Sequence, residues 1–245
     1  MKKVGTIYGV GVGPGDPELI TVKGLNVIRQ ADVIAFHQTK KANSNALRIA
    51  QQWLRNDQTL LNLTYPVTTE IQSNSQEYND ILEEFYFQSA KTLKEKLEQG
   101  LNIAVLTEGD PSFYSSFMYI LDNLKGKYPV KIIPGVSSLF AAAASLQAPL
   151  SYRNETFCVL SGVLPYEELV AKLKTGDTFA IMKIGRNFDK IKNALIESDL
   201  DKRALYIERA SMSNEKIIPL KDVDSAQAPY FSIILVPGKS WLQEK

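Results

Sequence analysis

The chain has 245 residues, and 44% of them are hydrophobic, which is enough to bury the core of one large domain or two small ones. Its 28 basic and 27 acidic residues leave no basic surplus of the kind that nucleic-acid-binding proteins carry. A single cysteine excludes a disulfide framework and a cysteine-only metal site, and no apolar run reaches the ~18 residues of a membrane span.

The first predicted element is a strand at residues 4–10, with no apolar leader before it, so we expect a cytoplasmic protein. The strand runs into the glycine-rich segment 9–17, where glycine lets the backbone approach a ligand closely. A dinucleotide fingerprint would need a third glycine where the chain has Pro14 in one frame and Asp16 in the other. A P-loop would need a Gly-Lys-Ser/Thr ending, which is missing. The turn therefore belongs to neither common phosphate-binding class.

The following elements predict an α/β fold. Thr21 is a suitable N-cap for a helix at 22–31, and a second strand follows at 33–36. Helical patterns then alternate with further strands, which implies mostly parallel pairing. These strands are predicted at 59–63, 103–107 and 130–133.

The pattern breaks at 148–154 and restarts. The second half reads as strands at 157–161, 178–182, 204–207, 215–219 and 231–236, with helices at 166–173 and 187–198. Its last three strands are joined by short connections, so we expect antiparallel pairs there. We predict two α/β domains, residues 1–148 and 149–245, with a ligand cleft between them.

Three later strand ends resemble the first one. Residues 108–116, 134–138 and 183–187 each combine a glycine turn with small or hydroxyl-bearing residues that open a helix. Each turn alone is also an ordinary helix cap. Together at one sheet edge they would line a cleft with backbone and hydroxyl groups, which suits a neutral or zwitterionic ligand.

Three of these segments carry a family resemblance. Residues 7–21, 109–116 and 133–138 resemble, in order, the three signatures of the tetrapyrrole methylases, which are S-adenosylmethionine-dependent enzymes of cobalamin and sirohaem synthesis. Tyr8, the run 113–116, the helix at 141–144 and the segment 230–232 look most like the branch that methylates C20 of precorrin-2. The resemblance implies a homodimeric C-methyltransferase of cobalamin biosynthesis. It would use S-adenosyl-L-methionine as methyl donor and act on precorrin-2 or cobalt-precorrin-2.

The resemblance also implies a cofactor site. Pro14 would lie over the cofactor, Asp110 near its ribose or amino-acid part, and Met182 at its adenine. Ser137 and Ser138 would contact the methionine end. The full set of implied cofactor contacts is Pro14, Gly109, Asp110, Phe113, Ser137, Ser138, Met182, Ala210, Tyr230 and Phe231.

Methyl transfer from sulfonium needs no acid for the leaving group, so positioning supplies most of the rate. A base for the C20 proton is either unnecessary or a carboxylate such as Asp16, whose other reading is a turn cap. Cationic side chains should rim the site of the carboxylate-rich tetrapyrrole. The candidates are Lys40, Lys41, Arg153, Lys183 and Arg186. The lone histidine, His37, makes no metal site by itself; it is either near a cobalt ion of the substrate or a surface or hydrogen-bonded residue.

Two alternatives remain open. One is a sibling enzyme that methylates another tetrapyrrole carbon, or diphthine in protein. The other is a binding protein that keeps the cofactor fold without turnover. No motif decides between a metal-free and a cobalt-bearing substrate.

Overall fold

The computed structural model describes residues 4–40, 42–67 and 75–238. The chain divides into two compact units, Met1–Ser137 and Ser138–Lys245. The sequence predicts the boundary between residues 148 and 149, whereas the structure divides the chain after Ser137. The helix Ser138–Ser145 and the turn after it therefore belong to the second unit.

The first unit is built on a parallel sheet. Its strands are β1 (Ile7–Gly11), β2 (Val33–Gln38), β3 (Thr59–Thr64), β4 (Ile103–Thr107) and β5 (Val130–Ile133). Its helices are α1 (Val22–Gln30), α2 (Asn45–Ala50), α3 (Gln76–Glu98) and α4 (Phe117–Leu124). The strand order is β3-β2-β4-β1-β5 with every pair parallel, which confirms the predicted pairing.

Alternate residues of each strand point to opposite faces of the sheet, and helices cover both faces, so both faces are buried. On β4, Ile103 and Val105 join the core under α3 and α4, whereas Ala104 and Leu106 join the core under α1 and α2. The predicted cap of α1 is present, since Gly24 N–H donates to Thr21 Oγ1 at 3.0 Å. Helix α2 was not predicted, because six residues are too few for a clear helical period.

The second unit has a mixed sheet. Its strands are β6 (Phe157–Ser161), β7 (Thr178–Met182), β8 (Leu205–Glu208), β9 (Lys216–Pro219) and β10 (Ser232–Val236). Its helices are α5 (Ser138–Ser145), α6 (Tyr166–Leu173) and α7 (Phe188–Glu197). In the order β6-β7-β10-β8-β9, β10 runs antiparallel to β7 and β8, and β9 antiparallel to β8. The predicted antiparallel pairs are confirmed.

Some strand ends differ by a few residues from the predicted ones, because the backbone there forms hydrogen bonds outside the sheet. The first strand begins at Ile7 rather than at residue 4, because Gly5 N–H donates to Leu97 O at the end of α3. Among the described residues, no helix is both long and apolar enough to cross a membrane.

Candidate functional site

Three glycine loops meet backbone to backbone where β1, β4 and β5 end. Gly13 and Gly109 form an isolated bridge, and Gly109 N–H donates to Gly13 O at 2.8 Å. A Cβ on Gly11 would lie 2.5 Å from Gly109 O and 2.6 Å from Gly135 Cα, and a Cβ on Gly135 would overlap Gly109 O. The close approach therefore requires residues without side chains, as the glycine pattern indicated.

Asp110 ties two of these loops together. Its Oδ2 accepts from Gly135 N–H at 3.0 Å, and its Oδ1 accepts from Ser112 N–H at 2.8 Å and from the Ser112 hydroxyl. Burial raises the pKa of Asp110, but these hydrogen bonds outweigh it and hold the pKa below its ordinary value. The site thus contains an ionised carboxylate with its loop fixed against the third glycine turn.

The other expected contacts of the first unit flank this contact point. Pro14 is buried directly after Gly13, and Phe113 N–H donates to Asp110 O. Ser137 is buried at the end of the first unit, whereas Ser138 opens α5 in the second. The structure thus brings Pro14, Gly109, Asp110 and Phe113 into one loop cluster.

Asp16 caps its own turn. Its Oδ1 accepts from Glu18 N–H at 2.8 Å, at the start of a short 3-10 helix over Pro17–Leu19. This is the turn-capping alternative expected for Asp16. Its role as a base stays a prediction.

A different arrangement covers the ends of β2 and β3. We call the residues His37, Tyr65, Phe85, Tyr86 and Ser116 the aromatic cluster. The His37 and Tyr65 rings stack at 5.3 Å, and Phe85 lies 4.9 Å from Tyr65. The Tyr65 and Tyr86 hydroxyls both hydrogen-bond Ser116 Oγ, the latter at 3.1 Å.

His37 lies in this cluster as a neutral imidazole. Burial lowers its pKa from 6.5 to about 4, and its buried Nε2 has no hydrogen-bond partner within the described ranges. The expectation of a hydrogen-bonded residue is therefore wrong for this nitrogen, because aromatic rings rather than polar groups surround it. Sequence reasoning missed Tyr65 and Tyr86, since a lone aromatic residue at a strand end or in a long helix carries no functional signal.

Glu108 is a second residue that the sequence reasoning passed over. It follows β4 immediately before Gly109 and is half-buried against the first turn of α2. Burial raises its pKa to about 7, although the Arg48 charge and hydrogen bonds from the Asn45 side chain and the Ala46 backbone act in the opposite direction. An acidic residue directly after a buried strand was the available signal.

In the second unit, the expected contacts other than Ser138 lie at one sheet edge. Because β10 is antiparallel to β7 and β8, its start lies beside their ends. Arg209 N–H donates to Phe231 O at 2.7 Å, which places buried Ala210 next to the Tyr230–Phe231 pair. The two rings lie 5.2 Å apart and are 68% and 38% exposed. Met182 ends β7 at the same edge.

The backbone at this edge is strained. Lys183, Arg209 and Ser211 have φ of 57°, 51° and 65°, a region that residues with side chains seldom occupy. Carboxylates support the turn after β8. Glu208 accepts from Arg209 Nη1 at 2.8 Å, and Glu215 Oε2 accepts from Ser211 N–H at 2.6 Å. Such strain persists where neighbouring contacts enforce it, often at functional sites.

The candidate cations are spread over both units. Lys40 is exposed just after β2, and Arg153 is exposed in the loop before β6. Lys183 and Arg186 follow β7 at the edge that carries Met182. Lys41 lies outside the described residues.

Comparison with known proteins gives the site its context. The family model of the Tetrapyrrole (Corrin/Porphyrin) Methylases matches residues 6–224. The cobalamin biosynthesis protein CobIJ of Mycobacterium bovis is 42% identical over 238 residues, which are 97% of this chain and 47% of CobIJ. The chain thus spans about half the length of that relative.

Two further proteins are matched along nearly their whole length. The precorrin-2 C(20)-methyltransferase of Sinorhizobium sp is 39% identical over 235 residues, 96% of each chain. The solved structure of the cobalamin biosynthetic enzyme cobalt precorrin-4 methyltransferase, CbiF, matches with a TM-score of 0.72 at 28% identity, covering 95% of this chain and 94% of that one. The predicted two-sheet α/β fold and the predicted family are confirmed, and the chain belongs to the tetrapyrrole methylases.

Proposed function

We propose that this chain is an S-adenosyl-L-methionine-dependent methyltransferase that methylates C20 of precorrin-2, or of cobalt-precorrin-2, in cobalamin biosynthesis. The observation that carries the proposal is the glycine contact point with its fixed carboxylate. It lies in a chain that is similar to a precorrin-2 C(20)-methyltransferase along nearly its whole length. The enzyme works in the cytoplasm as a homodimer.

The residues present fit the methyl donor. The backbones of Gly11, Gly109 and Gly135 lie in close contact at the ends of three strands, and Asp110 adds one negative charge beside them. S-adenosylmethionine, when bound, supplies a methyl group on a cationic sulfur. A carboxylate and backbone carbonyls suit that charge and the ammonium of the methionine end better than a phosphate-binding nest would.

Each group of residues has a role in holding the donor. In the first unit, Pro14, Gly109, Asp110, Phe113 and Ser137 bind its ribose and methionine parts. In the second unit, the adenine is held by residues at the sheet edge and the methionine end by the start of α5. These residues are Ser138, Met182, Ala210, Tyr230 and Phe231.

The substrate meets the cationic side chains. Lys40, Lys41, Arg153, Lys183 and Arg186 pair with its carboxylates and fix C20 in line with the methyl group, because orientation rather than acid catalysis sets the rate of such a displacement.

The test is incubation of the purified chain with methyl-13C S-adenosylmethionine and precorrin-2, in parallel with and without inserted cobalt. Mass spectrometry and 13C NMR then report how many methyl groups are added and where. One label at C20 is expected, and the faster substrate identifies the metal state. A label at another carbon would assign a sibling reaction, and binding of S-adenosylhomocysteine without any transfer would indicate a protein without turnover.

A further inference from the structure

We propose that Glu108 is the proton acceptor of this methylation, taking the hydrogen from C20 of the tetrapyrrole once the methyl group has been added. The inference rests on the proposed function and deepens it. It is carried by the position of Glu108 in the sheet, by the groups around its carboxylate and by the state of the other carboxylates nearby.

The position of Glu108 is the middle of the sheet edge. It follows β4, the central strand, which pairs with β2 on one side and β1 on the other. The next residue, Gly109, bridges Gly13, so Glu108 borders the proposed cofactor loops without belonging to the glycine contact itself. In parallel α/β sheets, ligands bind outside the carboxyl ends of the strands, where this residue lies.

The groups around the Glu108 carboxyl shift its pKa in opposite directions. The Asn45 side chain and the Ala46 N–H hydrogen-bond it from the start of α2, and the Arg48 guanidinium of that helix favours its charge. Burial opposes the charge and brings the pKa to about 7. The titratable group of neighbouring β2, His37, is neutral and lies in the aromatic cluster on the other face of the sheet. A base works best when its pKa is close to the working pH.

The other carboxylates at this edge hold the turns of their own glycine loops. Asp110 accepts three hydrogen bonds, which hold its pKa low and make it a poor base. Asp16 accepts from Glu18 N–H in its own turn. Glu108, by contrast, is hydrogen-bonded from α2 rather than within a glycine loop, and burial outweighs those bonds and raises its pKa to about 7.

The step balances without a further reactant. The π electron pair at C20 forms the bond to the methyl carbon, and the methyl–sulfur bond breaks with its electron pair going to sulfur. The positive charge thereby moves from sulfur to the tetrapyrrole. The Glu108 carboxylate then forms an O–H bond with the C20 hydrogen, and the C–H electron pair restores conjugation in the macrocycle. Glu108 afterwards releases one proton to water.

The test compares the wild type with Glu108→Gln, which keeps the size and loses the base. Precorrin-2 carrying deuterium at C20 is used at several pH values, in the steady state for kcat and KM and through a single turnover for the deuterium content of the product. In the wild type, kcat/KM should rise with pH through about 7, and the methylated product should contain no deuterium. In Glu108→Gln the rising limb should vanish, the rate of product formation should fall about 100-fold, and a methylated species that retains deuterium should accumulate.

Glu83→Gln, on the exposed face of α3, is the matched control and should behave as the wild type does. Unchanged binding of S-adenosylhomocysteine by Glu108→Gln shows that this variant folds. If the variant does not fold, Glu108→Asp and the pH profile of the wild type are used for the test instead. A higher KM with unchanged kcat and an intact pH limb would mean that Glu108 only holds α2, and would overturn the inference. A wild-type profile without an ionisation near neutrality would also overturn it. Failure of the wild type to methylate C20 would overturn the proposed function along with it.

Discussion

The two halves of the first sheet's carboxyl edge are built differently. The ends of β1, β4 and β5 pack backbone on backbone at Gly11, Gly109 and Gly135, whereas the ends of β2 and β3 are covered by the aromatic cluster. The strands pair in the same parallel way in both halves. The difference therefore comes from the residues at the end of each strand, which either let neighbouring backbones touch or cover the strand ends with rings.

The largest effect should come from adding one methyl group to the glycine half. In Gly135→Ala the new Cβ would overlap Gly109 O and lie 2.7 Å from Gly11 Cα, and backbone atoms have little freedom to move away. We expect a loss of about 3 kcal/mol in the free energy of unfolding, measured by urea denaturation. Gly126→Ala is the control, because Gly126 has φ +80° but nothing within 4 Å, so only about 1 kcal/mol should be lost. Equal losses in the two variants would show that close approach is not what the glycine half requires.

The aromatic half should respond to pH instead. The unfolded chain binds a proton at His37 near pH 6.5, but the folded chain does so only near pH 4. The contribution of neutral His37 to the free energy of unfolding is thus complete above pH 6.5. As the pH falls towards 4, this free energy should decrease by on the order of 2–3 kcal/mol. His37→Phe should remove this loss, and since the chain has one histidine, the difference between the two stability curves contains a single ionisation. Parallel curves would contradict the buried neutral imidazole.

Removal of the Asp110 carboxylate tests whether the glycine half binds the cofactor. Asp110→Ala loses the hydrogen bonds to Gly135 N–H and Ser112, so the loops should separate and the Kd for S-adenosylhomocysteine should rise about tenfold by calorimetry. Asp122→Ala, a carboxylate on α4, controls for loss of charge. Unchanged binding in Asp110→Ala would remove this residue from the proposed cofactor site.

The smallest effect should come from the hydroxyl groups of the aromatic half. Tyr65→Phe removes one of the two tyrosine hydroxyls on Ser116 Oγ and should cost about 1 kcal/mol of unfolding free energy. Tyr86→Phe should cost a similar amount, and the double variant should deviate from the sum because both hydroxyls share Ser116. Strict additivity, measured by urea denaturation, would show that the two hydrogen bonds act independently.

The sequence by itself determined the local features. Short apolar runs predicted strands such as β4 and β7, and Thr21 predicted the start of α1, because these signals depend on neighbours along the chain. Alternation of strands and helices was enough to predict the parallel pairing of the first sheet. Short connections were enough to predict antiparallel pairs in the second sheet. Three ordered signatures were enough for the family.

Only the tertiary structure decided what depends on distant contacts. The pairing of β10 between β7 and β8, which brings Ala210 beside Phe231, joins segments that are far apart in the chain. The pKa of Glu108 depends on burial beside α2, and the pKa of His37 depends on burial by Phe85 of α3 and by Tyr65, which follows β3. The charge state of a side chain depends on desolvation and on neighbouring dipoles, which no pattern along the chain records. Glu108, with its pKa of about 7, could therefore be identified only from the fold.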